Sequence, residues 1–299
     1  MAKNKENIDM NRLRSYSSVF SRSVFSDILS YSDFSQLDWL SGKYGEKLPE
    51  GCSYLGYLSY MYRTLSRFYR CEYVFKNEII NQLLLKKYRT KNTIAFNEFK
   101  VGDSIVDFAM MNGESKAFEI KTQLDTPRRL KKQMYDYRKI FNKCYVVVDV
   151  SECGYYANQL EEAVGIVALS YERGRIRLAE YRQAKKNIEI DSDILIRCLR
   201  TTEYENIVKR HFGKLPDVPS YKMFDACKEQ FSLIDSSCLN RMFLEEVKKR
   251  KSATEYLKDS PHFLRQMVLS LNLSSKNQET LICELHKPIN NSDLCTIHI

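Results

Sequence analysis

Hydrophobic and polar positions follow two different periods along this chain, and the switch between them divides it. From Leu13 to Leu40 the apolar residues Tyr16, Phe20, Phe25, Ile28 and Leu29 stand at mixed, mostly helical spacing, which predicts helices that pack on some other part of the chain. Tyr54 to Tyr69 repeats aromatics densely, with Tyr57, Tyr60, Tyr62 and Phe68 between. A stripe of this kind is core far more often than a base-stacking platform, which needs exposed aromatics among basic residues. Val74, Phe75, Ile79, Ile80, Leu83 and Leu84 carry helical spacing onward to the basic cluster Lys86, Lys87 and Arg89.

The period then falls to two. Thr93 to Val101, Ser104 to Met111 and Lys116 to Lys121 read as strands. Asn112-Gly113 lies between the second and third, and because both residues tolerate positive φ this dipeptide predicts a hairpin of antiparallel neighbours. Thr126-Pro127 opens a helix, with Thr126 as N-cap and Pro127 at the first position, where its missing N–H costs nothing. Leu130, Met134, Tyr137 and Phe141 give that helix one buried face. Cys144 to Val150 is a β-branched run typical of a buried strand, and Val164 to Ser170 with Arg175 to Tyr181 reads as a further hairpin.

After Gln183 the pattern is helical throughout: Asp191 to His211, Met223 to Leu233, Leu239 to Lys258 and a closing pair, with a joint at Lys214 to Pro219. Ser275 precedes Gln278 by the spacing of a capping box. The expected fold class is α/β, a mixed sheet flanked by helices. The expected divisions are an N-terminal helical extension (1–70), a sheet-bearing core (71–183) and an all-helical C-terminal region (184–299).

Composition narrows this picture. With 299 residues, 43% of them hydrophobic, the chain is long enough to bury a full core. Its net charge of +9 favours a polyanionic partner such as nucleic acid. The nine cysteines are odd in number and hold no Cys-x-x-Cys pair, so they are expected as reduced thiols in the cytoplasm. Met1 to Asn11 has no apolar segment behind a basic one, and no long apolar run follows, so neither export nor membrane association is expected. His211, His262, His286 and His298 lack zinc-ligand spacing, and no phosphate-binding glycine loop occurs.

Strand alternation then selects the candidate chemistry. Val106, Phe108 and Met110, with Phe118 and Ile120, form one face, predicted to be the core. Asp107, Glu119 and Lys121 lie on the other face, predicted to be open. A three-residue turn, Asn112 to Glu114, would set Asp107 directly opposite Glu119 with Cβ atoms about 5 Å apart. Two carboxylates so close repel unless a cation sits between them. Mg²⁺ or Mn²⁺ suits the position, since such ions take one or two carboxylates plus waters and phosphate oxygens. Lys121 would hold an attacking water or offset developing charge.

Asp107, then eleven residues, then Glu119-Ile120-Lys121 between strands, with a helix and strand on either side, resembles the PD-(D/E)XK nuclease superfamily. It is similar in particular to a bacterial group within it, through Tyr73 to Asp149. The resemblance implies a restriction-endonuclease-like core and Mg²⁺-dependent hydrolysis of phosphodiesters, in DNA ahead of RNA, in a setting of bacterial defence or mobile elements. It implies metal ligation by Asp107, Glu119 and the Ile120 carbonyl, help from Glu78 on the preceding helix, and a water-positioning role for Lys121. Gln133 and Tyr137, four apart on the following helix, are similar to the Gln-x-x-x-Tyr element of the RecB-like branch, which implies contact with substrate phosphate or the catalytic lysine.

The proline of the family motif is replaced by Val106. Glu98 is either a further ligand or an exposed strand acid. Arg128, Arg129, Lys131, Lys132, Arg138 and Lys139 are either a solvated helix face or a phosphate-binding rim. Two rival readings stand beside the nuclease: a catalytically silent nucleic-acid-binding or protein-interaction module on the same fold, and a helical interaction protein whose α/β part is only a scaffold, with the helical C-terminal region as the place for a protein partner.

Overall fold

A computed structural model of the chain describes residues 9–45, 48–122 and 125–289. The polar start up to Ile8, Gln123 and Leu124 after the third strand, and Cys295 and His298 lie outside the described residues. The chain forms two compact units. The first joins residues up to Asn81 with Tyr171–Arg177 and the stretch from Tyr256 onward; the second joins Gln82–Ser170 with Leu178–Glu255. This division crosses the one drawn from sequence. Residues 184–255 belong with the sheet, and the closing helices belong with the N-terminal ones.

The first unit is helical: α1 (Met10–Val19), α2 (Arg22–Tyr31), α3 (Ser35–Tyr44), α4 (Tyr54–Phe68) and α5 (Glu72–Glu78), with later helices over Arg265–Ser270 and Ser275–Leu285. Short polar side chains cap several of them; Ser21 accepts from the Val24 N–H and Ser53 from the Gly56 N–H. Half of the dense aromatics are core, and Tyr60, Phe68 and Tyr69 are half-buried. Tyr54, Tyr57 and Tyr62 are buried, Tyr16 packs edge-on to Tyr57 at 6.1 Å, and Phe34 stacks on Tyr54 at 3.9 Å. In the last helix the cap is Ser274, which accepts from Asn277, and not Ser275. Gln278 is instead buried and donates to the Tyr256 carbonyl at 3.2 Å. Among the described residues no helix is long and apolar enough to cross a membrane.

The second unit is built on a six-stranded sheet in the order β1 to β6, of which only the tip of the β5–β6 hairpin, Tyr171–Arg177, is counted with the first unit. Its strands are β1 (Ile94–Val101), β2 (Ser104–Met111), β3 (Ser115–Ile120), β4 (Lys143–Asp149), β5 (Gly165–Glu172) and β6 (Arg175–Arg182). β1, β2 and β3 pair antiparallel, and β3, β4 and β5 pair parallel. The predicted three-residue turn is present. Met111 pairs with Ser115, the Asn112 N–H donates to the Glu114 carbonyl at 2.9 Å, and Gly113 takes φ 69°. Parallel neighbours need a crossover, and α6 (Leu130–Arg138) supplies it between β3 and β4. α6 enters through a 3₁₀ turn over Pro127–Arg129, and the Thr126 side chain makes no cap bond.

Four further helices belong to this unit, after α7 (Cys153–Gln159): α8 (Ser192–Arg197), α9 (Thr201–Phe212), α10 (Met223–Phe231) and α11 (Ser236–Val247). The helix expected over Asp191 to His211 is thus two, broken where Arg200 turns its N–H to the Glu203 carboxylate at 2.8 Å.

Both faces of this sheet are covered, and the expectation of an open polar face is corrected. Ala109, Met111, Ala117 and Val146 pack with Leu130, Met134 and Tyr137 of α6 and with Ile207 and Phe243 of α9 and α11. On the opposite face Phe118 stacks on Tyr145 at 5.3 Å, beside Phe108. Gly165 is required there, because a Cβ at this position would meet the Tyr145 ring at 2.4 Å and the Ala184 nitrogen at 2.8 Å. Gly165→Ala is therefore expected to destabilise the sheet by about 1–3 kcal/mol through overpacking. Urea unfolding that gives the variant the wild-type midpoint would contradict this packing.

Candidate active site

The site forms where two regular ladders fail together. The β2–β3 register ends on Phe108 opposite Phe118, and carried one step further it sets Asp107 opposite Glu119. There the strands part. The Ile120 N–H donates to Asp107 Oδ2 at 2.8 Å, while β3 stays paired with β4 through Glu119 with Val146 and Ile120 with Val147.

On the other edge of β2, Asn97 pairs with Phe108 and Phe99 with Val106, so Glu98 stands across from Asp107. Glu98 takes φ 57°, a left-handed conformation that costs a side-chain-bearing residue about 1–2 kcal/mol. The alternation changes phase across this pair. Ile94 and then Phe99 and Val101 face one core, as do Met111 and Ala109 and then Val106. Val106 is thereby in the α6-side core, not in the set with Phe108 that alternation predicted. Backbone strain of this kind tends to gather at functional positions.

Glu119 and Lys121 face α6. Lys121 Nζ donates to Glu119 Oε1 at 2.8 Å, and the Tyr137 hydroxyl lies 2.7 Å from Glu119 Oε2 and 2.5 Å from the Ile105 carbonyl. One phenolic proton serves one acceptor at a time, and the charged carboxylate is the stronger. Glu119 is only 2% exposed and Lys121 9%, a buried pair and not the solvated one expected. Burial, then the charge of Glu119 and its hydrogen bond, with Asp107 adding, push the Tyr137 phenol well above its ordinary pKa, so it remains a neutral donor. The Gln133 amide oxygen is 3.4 Å from Lys121 Nζ, and its nitrogen is 3.5 Å from the Tyr137 hydroxyl. Asp107, Glu119, Lys121, Gln133 and Tyr137 thus share one constellation.

Other candidates sit differently. Glu78 belongs to the helical unit and is buried there, its Oε1 accepting from the Tyr62 hydroxyl at 2.8 Å and from Asn81 at 3.0 Å. Glu98 is exposed. Arg128, Arg129 and Lys131 are exposed at the start of α6, whereas Lys132 and Lys139 lean toward Asp136 at 3.9 and 3.5 Å and Arg138 pairs with Glu161.

Sequence reading missed Asp125, whose Oδ2 accepts from both the backbone N–H and the hydroxyl of Thr122 at 2.8 Å and so shapes the chain leaving β3. The Thr-x-x-Asp spacing was its only signal. It also missed Asp149 and Glu152; burial, then the charges of Asp149 and Asp125, raise the Glu152 pKa. Among the described residues no group of three or more His, Cys, Asp and Glu side chains is arranged to hold a metal by itself.

The family model described as bacteriophage P4 protein cII matches residues 66–279, and the chain belongs to that family. The match takes in the whole second unit and the parts of the first that flank it. A solved structure of a protein of unknown function from Silicibacter pomeroyi is similar over 46% of this chain and 88% of its own, at 15% identity and a TM-score of 0.32. No curated protein sequence matches the chain.

The buried pair makes a measurable demand. Lys121→Met strands the Glu119 charge and is expected to cost about 3–5 kcal/mol in urea unfolding with EDTA present. Adding Glu119→Gln to it is expected to recover much of that loss, because the two residues couple directly. Additive losses would show that the 2.8 Å contact carries no stability.

Proposed function

We propose that the sheet-bearing unit is a metal-dependent nuclease of the PD-(D/E)XK type, hydrolysing phosphodiester bonds in DNA ahead of RNA. The observation that carries this reading is the end of the β2–β3 register next to Asp107 and Glu119, where the Ile120 N–H donates to Asp107 at 2.8 Å, with Lys121 held against Glu119 at 2.8 Å.

The donor set fits Mg²⁺ or Mn²⁺. Each carboxylate offers about four lone-pair positions, and the contacts of Glu119 to Lys121 and Tyr137 use only part of its share. Mg²⁺ needs few protein ligands, since water and substrate phosphate complete its shell. Asp107, Glu119 and the Ile120 carbonyl would hold it. When bound, the ion makes its water more acidic and offsets charge on the phosphate.

The chain's own residues supply the rest. Lys121, the cation beside the carboxylates, holds the attacking water or answers charge developing on the phosphate oxygen. Gln133 steadies the Lys121 ammonium through its amide oxygen, and Tyr137 orients the second oxygen of Glu119. Arg128, Arg129 and Lys131 form the exposed rim that meets flanking phosphates. The family's phage name favours a mobile-element setting, and the described cysteines are free thiols, which suits a reducing cytoplasm.

One observation favours a second reading. Both oxygens of Glu119 already have donors within the protein, as they would in a catalytically silent nucleic-acid-binding module.

Incubation with single- and double-stranded DNA and RNA, with Mg²⁺, Mn²⁺ or EDTA, separates the two. The nuclease reading expects cleavage that EDTA stops, that Asp107→Asn abolishes, and that Gln133→Ala slows about ten- to a hundredfold, the scale of losing one positioned hydrogen bond. Metal-independent binding without cleavage would support the silent module. Replacing Arg128, Arg129 and Lys131 by Gln is expected to lower the salt slope of nucleic-acid binding by about 0.7–0.9 for each phosphate that is no longer neutralised. An unchanged slope would put the substrate groove elsewhere.

A further inference from the structure

A recess of about 420 Å³ opens in the second unit beside the β2–β3 turn, between that turn, the segment after β6 and α11. It lies at the opposite end of the hairpin from Asp107. Gly113 is six residues along, roughly 20 Å at the rise of a strand, so this is a place separate from the candidate active site.

Its rim is basic. Lys186, Arg241 and Lys248 line it. Lys186 has a share in Glu114 at 3.2 Å, but Glu114 is also held by Lys143 at 3.1 Å and Lys116 at 3.5 Å. One carboxylate among these lysines leaves positive charge over. Glu245, the acid in the lining, is held by Arg210 at 2.9 Å and lies 3.8 Å from Arg241. Lys248 has no ion pair among the described residues. An unbalanced positive rim around a recess attracts an anion.

Two further features say what kind. In the lining, half-buried Asn240 donates its amide N–H to Asn142 Oδ1 at 3.2 Å, while its Oδ1 is buried and has no hydrogen-bond partner. A buried acceptor left unpaired costs about 1–3 kcal/mol, which a donor on a ligand would recover. On the wall, Ile188 is 70% exposed beside the buried Leu244, an apolar surface for a ring to lie against. Inorganic phosphate would use the rim alone and leave both features idle. The volume falls within the range of small-molecule sites, about 300–1,000 Å³.

We propose that this recess binds a nucleoside phosphate, with Lys186, Arg241 and Lys248 on the phosphate, Ile188 and Leu244 against the base or sugar ring, and Asn240 Oδ1 accepting from an amino or hydroxyl group. The ligand is either a free nucleotide or the phosphorylated end of a strand. The proposal is independent of the nuclease reading, since none of its residues belongs to the Asp107 constellation.

Calorimetric titration of the full chain in EDTA tests it, with adenosine 5′-monophosphate, inorganic phosphate and a short 5′-phosphorylated oligonucleotide as probes. The mononucleotide is expected to bind at least about tenfold more tightly than inorganic phosphate, and Arg241→Gln with Lys248→Gln to weaken it about tenfold or more, the scale of removing charge-assisted hydrogen bonds. Asn240→Ala is expected to narrow the gap between nucleotide and phosphate, and Asp107→Asn to leave the binding intact.

Binding of the oligonucleotide but not the mononucleotide, abolished in the same double variant, supports the strand-end source of the same chemistry. Absence of binding by both nucleotide probes, equal affinity for nucleotide and inorganic phosphate, an unaffected double variant, or loss of binding in Asp107→Asn would each overturn the proposal. The last result would move the ligand to the candidate active site, whether or not that site cleaves.

Discussion

A carboxylate with almost no access to water has to be answered from within the protein, and Glu119 is answered on two sides. Lys121, two residues further along the chain, supplies a cation at 2.8 Å, and Tyr137 on α6 supplies a neutral donor at 2.7 Å. The two contacts constrain different things. The Lys121 contact needs only the end of β3. The Tyr137 contact needs α6 held over the sheet, where Leu130 and Met134 are buried in the core that also holds Ala109 and Ala117. Ion pairs buried in this way are costly to assemble.

The same region concentrates the irregularities of the sheet. β2 and β3 part at Asp107, Glu98 turns left-handed across from it, and the inward alternation of β1 and β2 slips by one residue there. A regular hairpin would have closed Asp107 into the ladder. Parting instead leaves its carboxylate to accept from the Ile120 N–H and to stand beside Glu119. The helix ahead of β1 is irregular too, running from Ile79 to Tyr88 with π spacing, a rare geometry found often near functional sites.

The strands were legible because their alternation and turn chemistry are local. β2 runs from Ser104 to Met111 as its pattern indicates, and Asn112-Gly113 makes the turn whose register runs back to Phe108 opposite Phe118, one step short of Asp107 and Glu119. The mixed sheet flanked by helices follows from the same signals. What was hidden depends on partners distant in sequence. Burial of Glu119 and Lys121 could not be read from β3 alone, since polar residues on alternate positions look the same whether water or a helix lies above them. The break between α8 and α9 rests on Glu203, which turns to the Arg200 N–H and to Arg250 at 2.6 Å, and helical periodicity carries no mark of it. Glu78 was placed on its helix correctly, but its bonds to Tyr62 and Asn81 depend on how helices pack.

Metal binding by this carboxylate pair is the point on which the proposed function turns, and it can be observed without any substrate. Electron paramagnetic resonance of Mn²⁺ titrated into the purified chain reports bound ion directly. The expected result is a saturable Mn²⁺ site in the wild type that Asp107→Asn removes and that Mg²⁺ displaces by competition. A wild type that binds no Mn²⁺, or an Asp107→Asn variant that binds it as well as the wild type, would contradict metal-dependent chemistry at this pair.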